Sequence, residues 1–243
     1  MTRGEAVNRL WIIVLALVVG CADTGQSYVE IPIHASGIED APIDLGDGWT
    51  LDLERAEIGF GPIWLCASER ASPEFCPTAV LELRETVAID GLDPAPQMLG
   101  TMRGVTGSVR SAMFDYGISW IPTAQVPSAN PGAPEGHSAV FAGRATHDDG
   151  RTFSFTCAID LTPVMQGALV VGGRRIAEHA ITSSDDALIV RVDPAAWWRR
   201  VDPERLASRG EDAIVIAPGD PDHEALVVAM TGGLLPSLQW ATE

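Results

Sequence analysis

Residues 49–66, WTLDLERAEIGFGPIWLC, predict a β fold, because polar and apolar side chains alternate along their first part as in a half-buried strand. The alternation begins at Trp49 and continues until Gly61-Pro62 interrupts it. A short apolar run at 63–66 follows the interruption. We therefore predict two strands separated by a Gly-Pro break.

The same alternation predicts strands elsewhere in the chain, at residues 28–34, 78–90, 111–121 and 187–192. Proline has no backbone N–H, so Pro32 places the first of these strands at a sheet edge. The strand at 111–121 has an inner face rich in aromatic residues: Ala112, Phe114, Tyr116, Ile118 and Trp120.

Two hairpins are also predicted. Residues 137–146 and 151–160 flank the turn sequence 147–150, HDDG, whose residues tolerate positive φ. A second hairpin would pair 168–171 with 174–177 and turn at two glycines.

The last fifty residues change in character, because three Asp-Pro pairs occur there. Each pair combines a helix-capping acceptor with a proline at the first helical position, so short helices are predicted to begin near 194, 203 and 221. Together these patterns predict a mainly β fold, a β-sandwich of roughly eight to ten strands with a few short helices near the C-terminus. Residues 28–243 are predicted to form this single domain.

Part of this pattern resembles a known class of domain. Residues 115–120 and 143–155 are similar to the central strands of prealbumin-like β-sandwich domains found in uncharacterised bacterial lipoproteins. The similarity extends by loose pattern over about half of the chain. It implies the sandwich architecture, and no functional residue is carried over from it.

The N-terminus resembles the lipobox signal peptide of bacterial lipoproteins. Arg3 and Arg9 precede the apolar run 10–19, and Val-Val-Gly-Cys closes the segment at Cys21. The resemblance implies removal of residues 1–20, a lipidated Cys21 and a short tether at 21–27. The run is too short to cross a bilayer, which requires about 20 apolar residues.

Lipidation at Cys21 predicts where the protein is located. Two or more acyl chains hold a protein stably on a membrane, whereas one chain holds it only marginally. Ala22 stands where many inner-membrane lipoproteins carry a retention aspartate. We therefore expect a membrane partner through the lipid anchor, in the cell envelope and at the outer membrane.

The charge balance disfavours one class of partner. Without residues 1–20, which hold Arg3, Arg9 and Glu5, the chain retains 14 basic and 32 acidic residues, a net charge of −18. Such a chain repels phosphate backbones, so nucleic-acid binding is not expected. A solvated surface is the simplest interpretation, and attraction of cations or basic partners is the alternative.

Three cysteines remain for an oxidising compartment once Cys21 is lipidated. A Cys66–Cys76 disulfide is preferred over a bridge to Cys157, and its loop closure would stabilise the fold by roughly 2–3 kcal/mol. Cys157 shares the inward parity of its strand, so we predict a buried and inert thiol.

The candidate metal ligands are His137, His147, Asp148 and Asp149. A straight strand of ten residues would hold the two histidines about 33 Å apart, and the spacing matches no metal motif. We therefore predict no metal site and no cofactor, although a metal-binding protein using these residues remains an alternative. The acidic residues at 220, 222 and 224 are explained by helix capping rather than by calcium.

Five of the tryptophans lie in predicted strands or in a predicted helix. Trp49, Trp64 and Trp120 lie in predicted strands and are expected in the core. Trp197 and Trp198 are adjacent in a predicted helix, so one packs inward while the other either faces a protein or glycan partner or lies beneath a neighbouring loop.

Serine hydrolases carry G-x-S-x-G, and residues 117–121, GISWI, lack the final glycine.

These observations favour a lipid-anchored protein of the cell envelope that is not an enzyme and that acts as a binding or structural module. Its ligand is not specified by the sequence. A metal-binding envelope protein is the first alternative. A hydrolase whose catalytic residues are dispersed along the chain is the second.

Overall fold

Strands dominate the computed structural model, which describes residues 25–39, 41–70, 79–184 and 186–242. The predicted mainly β sandwich is confirmed, with sixteen strands among the described residues rather than eight to ten. The strands are β1 (Tyr28–Ser36), β2 (Ile43–Gly46), β3 (Trp49–Phe60), β4 (Ile63–Cys66), β5 (Leu81–Leu83), β6 (Val87–Asp90), β7 (Gln97–Val105), β8 (Gly107–Phe114), β9 (Ile118–Ser119), β10 (Ser128–Ala129), β11 (Ala139–His147), β12 (Thr152–Ile159), β13 (Val171–Ile181), β14 (Asp186–Arg191), β15 (Ala213–Ile216) and β16 (Ser237–Thr242).

These strands form two large sheets. The eight-stranded sheet has the order β13-β8-β4-β5-β7-β1-β14-β16, and the six-stranded sheet has the order β15-β12-β11-β3-β2 with β6 also paired to β3. A separate pair joins β9 to β10. Buried side chains from both sheets and from the helices belong to one hydrophobic cluster.

The stretch 49–66 passes from one sheet to the other. Its first strand, β3, lies in the six-stranded sheet, and β4 lies in the eight-stranded sheet. The chain crosses at Gly61, where φ is +104° and the peptide bond to Pro62 is cis. A Cβ on Gly61 would lie 2.3 Å from the carbonyl oxygen of Glu85, so the crossing requires glycine.

The first predicted hairpin is confirmed and the second is wrong. Strands β11 and β12 pair in register from Ala139↔Ile159 to Thr146↔Thr152, around a turn in which Gly150 has a φ of +94°. Residues 171–181 instead form the continuous strand β13, which pairs with β8. The two glycines shift the register of that pairing rather than reversing the chain.

Pro32 lies in a strand that is only partly at an edge. Strand β1 has β7 on one side and β14 on the other. Pairing with β14 begins at Ile33, so Pro32 belongs to the half of β1 that has a neighbour on one side only. The physical reason for the prediction therefore holds locally, whereas the placement of the whole strand at an edge is wrong.

The edge strands of the larger sheet approach each other. The ring of His179 on β13 stacks on Trp240 of β16, with ring centres 4.4 Å apart and planes 12° apart. His179 Nε2 also lies 3.2 Å from Asp186 Oδ1 on β14. The sheet is therefore curled almost into a barrel, which shields edges that would otherwise be open to pairing.

The three predicted helices are present at the predicted positions: α1 (Pro194–Trp198), α2 (Pro203–Ala207) and α3 (Pro221–Val228). Short 3-10 and π segments lie at Pro134–Gly136 and Ala229–Gly233. Asp193 and Asp202 cap their helices, whereas the Asp220 side chain accepts from the Ala217 N–H instead. Among the described residues, no helix is long and apolar enough to cross a membrane.

Trp197 and Trp198 are both buried, so the surface alternative for one of them is wrong. Trp198 packs on Phe155 at 4.4 Å between ring centres, and Trp197 Nε1 donates to the Leu234 carbonyl at 2.7 Å. Helix α1 thus lies between the six-stranded sheet and the segment near Leu234. Adjacent residues of a helix point in different directions, and here both directions meet protein.

We predict that Gly61→Ala destabilises the fold by more than about 3 kcal/mol, because the new methyl meets the Glu85 carbonyl in addition to the cost of a positive φ. Gly219→Ala is the matched control, since Gly219 also has a positive φ (+94°) but open space around it. Its expected cost is about 1–2 kcal/mol. Urea unfolding measures both variants, and equal losses would contradict the steric explanation.

Candidate functional site

The two histidines proposed as metal ligands lie at opposite ends of β11. His137 precedes the strand, and its Nδ1 lies 2.8 Å from Asp160 Oδ1. His147 ends the strand, with Nδ1 2.8 Å from Asp149 Oδ1 and Nε2 2.9 Å from the Asp47 carbonyl oxygen. The structure therefore does not bring the two histidines together.

The acidic residues of the 147–150 turn are held by local hydrogen bonds. The Asp148 backbone N–H donates to the Gly48 carbonyl. Asp149 accepts from the backbone and side chain of Arg151, and the backbone hydrogen bond is the main cause that lowers the pKa of Asp149 to about 2. Within the described ranges, no group of three or more His, Cys, Asp or Glu side chains is placed to hold a metal ion.

The acidic residues near residue 221 have structural partners. Asp222 is fully buried, accepts from the Asp202 N–H at 2.8 Å and pairs with Arg205 at 2.6 Å. This arrangement ties the start of α3 to α2. It explains Asp222 without a calcium ion.

The four cysteines divide into two that the structure describes and two that it does not. Cys21 and Cys76 lie outside the described residues. Cys66 is buried and disulfide-bonded, while Cys157 is buried and free, so these two residues do not pair with each other. The Cys66–Cys76 bridge stays a prediction. Burial raises the pKa of Cys157 to about 12, as expected for an inert thiol.

A pocket that the sequence did not predict lies where the chain leaves β8. Its volume is about 210 Å³, and its walls include Pro62, Trp64, Asp115, Ser119 and Trp120. We call it the Asp115 pocket. Residues 167–169, from the loop before β13, complete it.

The crossing between the sheets forms one side of this pocket. The Gly61 N–H donates to the Asp115 carbonyl and the Asp115 N–H donates to the Pro62 carbonyl, both at 3.0 Å. Gly117 N–H donates to the Gly61 carbonyl at 3.1 Å. These bonds end β8 at Phe114 and hold Asp115 beside the crossing, so the predicted strand 111–121 is divided.

A chain of polar side chains continues from Asp115. Ser119 Oγ donates to Asp115 Oδ2 at 2.8 Å and accepts from Asn130 Nδ2 at 2.9 Å. Asn130 Nδ2 also lies 3.2 Å from Thr86 Oγ1, which in turn donates to the Gly61 carbonyl at 2.9 Å. The other Asp115 oxygen accepts from the Val170 N–H at 2.8 Å.

The environment of Asp115 changes its acidity. Its side chain is fully buried, and this burial raises the pKa of the carboxyl to about 6. The hydrogen bonds from Val170 and Ser119 oppose the shift only in part. A carboxyl with a raised pKa in a pocket with convergent polar groups is typical of binding and active sites.

Two tryptophans form the aromatic part of the pocket. Trp64 and Trp120 are half-buried, so their placement in the core was wrong, whereas Trp49 is buried as expected. Trp64 Nε1 donates to Glu82 Oε2 and Trp120 Nε1 donates to the Ala124 carbonyl, each at 3.1 Å. These hydrogen bonds fix both rings at the pocket wall.

Other depressions on the described surface are larger but chemically simpler. One of about 460 Å³ lies beside the exposed ion pair of Glu82 and Arg84. Two others, of about 590 and 550 Å³, share Gly233 and Leu234. Their linings do not include a fully buried carboxyl, so the Asp115 pocket is the strongest candidate site.

Comparison with known proteins adds little to this description. Neither a family model nor a curated protein matches the chain. Among solved structures, MbnP from Methylosinus trichosporium is similar at 12% sequence identity and a TM-score of 0.42. The match covers 85% of this chain and 89% of that chain. At this level of similarity we draw no conclusion from it.

We predict that Asp115 makes stability fall as the pH rises from about 4 to 6. The folded carboxyl keeps its proton up to about pH 6, whereas an unfolded one releases it near pH 4. Relative to Asp115→Asn, the wild-type free energy of unfolding should therefore be lower by about 3 kcal/mol at pH 7 than at pH 4.

Urea unfolding at several pH values measures this difference. Glu211→Gln, which changes an exposed carboxyl, is measured alongside as the control for substitution of an acid by its amide. A wild-type difference that stays constant between pH 4 and pH 7 would contradict the raised pKa.

Proposed function

We propose that this protein is a lipid-anchored binding module of the cell envelope, attached to the outer membrane through Cys21, and that it is not an enzyme. The Asp115 pocket is its binding site. The observation that carries the proposal is the combination of a buried carboxyl and two fixed tryptophans in one pocket.

The direction of the strands supports display of the pocket away from the membrane. Strands β1, β5 and β8 run the same way across the sheet, as the alternating antiparallel pairings require. The chain enters β1 at Tyr28, at one end of the sheet. Residues after Phe114 therefore leave the sheet at the opposite end. A lipid on Cys21 would lie on the Tyr28 side.

The hydrogen bonds of the pocket support binding rather than catalysis. Ser119 Oγ donates its proton to a carboxyl and already accepts from Asn130. An activated serine instead requires a general base, most often histidine, positioned by a third group. His137 and His147 have their own partners in other parts of the structure.

We predict that the wild-type chain, expressed with its signal in a Gram-negative host, is recovered in the membrane fraction with a mass above that of a chain beginning at Cys21. Cys21→Ser should lack the acyl mass, because serine has no sulfur atom to carry the thioether lipid. Fractionation and intact-mass measurement provide the test.

Residues 21–243 expressed without the signal provide the control, since they lack the export step that precedes lipidation. This control should be soluble and unmodified. A wild-type chain that begins at Cys21 and carries no added acyl mass would refute the anchor.

A further inference from the structure

Asp115 differs from the other buried carboxyls of the described chain. Those others have a basic partner: Asp222 pairs with Arg205 at 2.6 Å, and Asp186 lies 3.2 Å from His179. Asp115 is held by two neutral donors, the Val170 N–H and the Ser119 hydroxyl. Its negative charge therefore has no cation to balance it among the described residues.

An unbalanced carboxylate is costly to bury, so a cation that reached the pocket would be stabilised there. A carboxylate has about four acceptor positions, and two neutral donors leave capacity for another donor. The fixed tryptophans add a second attraction, since indole rings bind ammonium and guanidinium groups within about 6 Å. The net charge of −17 draws cations toward the protein from a distance.

The rim of the pocket is apolar. The two loops that border it carry four large exposed hydrophobic side chains, of which Ile121 lines the pocket: Ile121, Val126, Val164 and Met165, each at least 55% exposed. The loops are joined, because the Gly167 N–H donates to the Trp120 carbonyl and Gln166 Nε2 donates to the Pro122 and Ala124 carbonyls. Exposed apolar side chains beside a pocket can contact the apolar part of a ligand.

We propose that the Asp115 pocket binds the cationic head group, an ammonium or a guanidinium, of a small ligand whose stem is apolar. The head group occupies the pocket that Asp115, Trp64 and Trp120 line, and the stem lies along Ile121. This inference rests on the proposed function, since it names the ligand class of the same pocket. A cavity of about 210 Å³ admits a head group with a few methylenes.

We predict saturable binding of n-alkylammonium chlorides to the folded chain, measured by calorimetry and by tryptophan fluorescence from methylammonium to butylammonium. Affinity should rise about fourfold with each methylene that is buried against the rim. Guanidinium chloride at low millimolar concentration should compete. Sodium chloride at matched ionic strength should not saturate, because a hydrated metal ion gains little from the apolar rim.

Asp115→Asn keeps the shape of the side chain and should weaken binding of the whole series about tenfold or more. Asp160→Asn, which removes an exposed carboxyl elsewhere, is the matched control and should bind as the wild type does. Near-UV circular dichroism checks that both variants are folded. Because burial raises the pKa of Asp115 to about 6, wild-type affinity should also fall about tenfold from pH 7.5 to pH 5, a test that needs no variant.

The uncharged and anionic analogues distinguish the two proposals. Equal affinity for butanol, butyrate and butylammonium would overturn the cationic ligand while leaving the pocket as a binding site. Butylammonium binding that is indifferent to both pH and Asp115→Asn would also overturn it. Failure of all three probes to bind would overturn the ligand class and the role of the pocket, whereas the lipid anchor is judged separately by fractionation.

Discussion

Backbone hydrogen bonds between Gly61-Pro62 and residues 115–117 hold the point at which the chain passes from one sheet to the other. A chain that passes from one sheet to another leaves ladder partners behind, and its buried N–H and C=O groups need new ones. Here the Gly61 N–H donates to the Asp115 carbonyl, the Asp115 N–H donates to the Pro62 carbonyl, and the Thr86 hydroxyl donates to the Gly61 carbonyl. The same contacts that permit the crossing therefore place the carboxyl of Asp115.

This placement explains why polar side chains occur inside an apolar fold. Ser119, Asn130 and Thr86 form a continuous hydrogen-bonded path from the Asp115 carboxyl back to the crossing. In a medium of low dielectric such a path holds its members in one arrangement, because each unsatisfied group would be costly. Each oxygen of Asp115 accepts one hydrogen bond from a neutral donor, and neither bond neutralises the charge, so the buried carboxylate has no balancing cation among the described residues.

The sequence predicted the strands and helices that a local pattern specifies, and it did not predict the pocket, whose residues are distant in the chain. Alternation identified β3, β4 and the β11–β12 hairpin, and Asp-Pro pairs identified the starts of the three α-helices that lie among the described residues. The false hairpin at 172–173 arose because paired glycines suit both a turn and a register shift. Alternation in the sequence does not distinguish a turn from a register shift at these glycines, because the difference lies in the pairing of this segment with β8.

The candidate site was missed for a related reason. Trp64 and Asp115 are about fifty residues apart, and the loop at 167–169 is as far again, so no spacing connects them. A signal was nevertheless present, because Asp115 is a lone carboxylate within an aromatic-rich strand pattern and is followed four residues later by Ser119. Isolated acids in such surroundings are either paired or functional, and only the three-dimensional arrangement shows that the partners of Asp115 are neutral.

The length of the tether links the site to the proposed anchor. Seven residues, 21–27, span at most about 25 Å when extended, so a lipidated Cys21 would keep the Tyr28 end of the sheet close to the bilayer. Strand β8 carries the chain the other way before it reaches Asp115. A pocket so placed would meet solutes rather than headgroups, and the net negative charge of the chain would favour cations among those solutes. The orientation of the pocket and the net charge of the chain thus both favour a small soluble cation as the ligand.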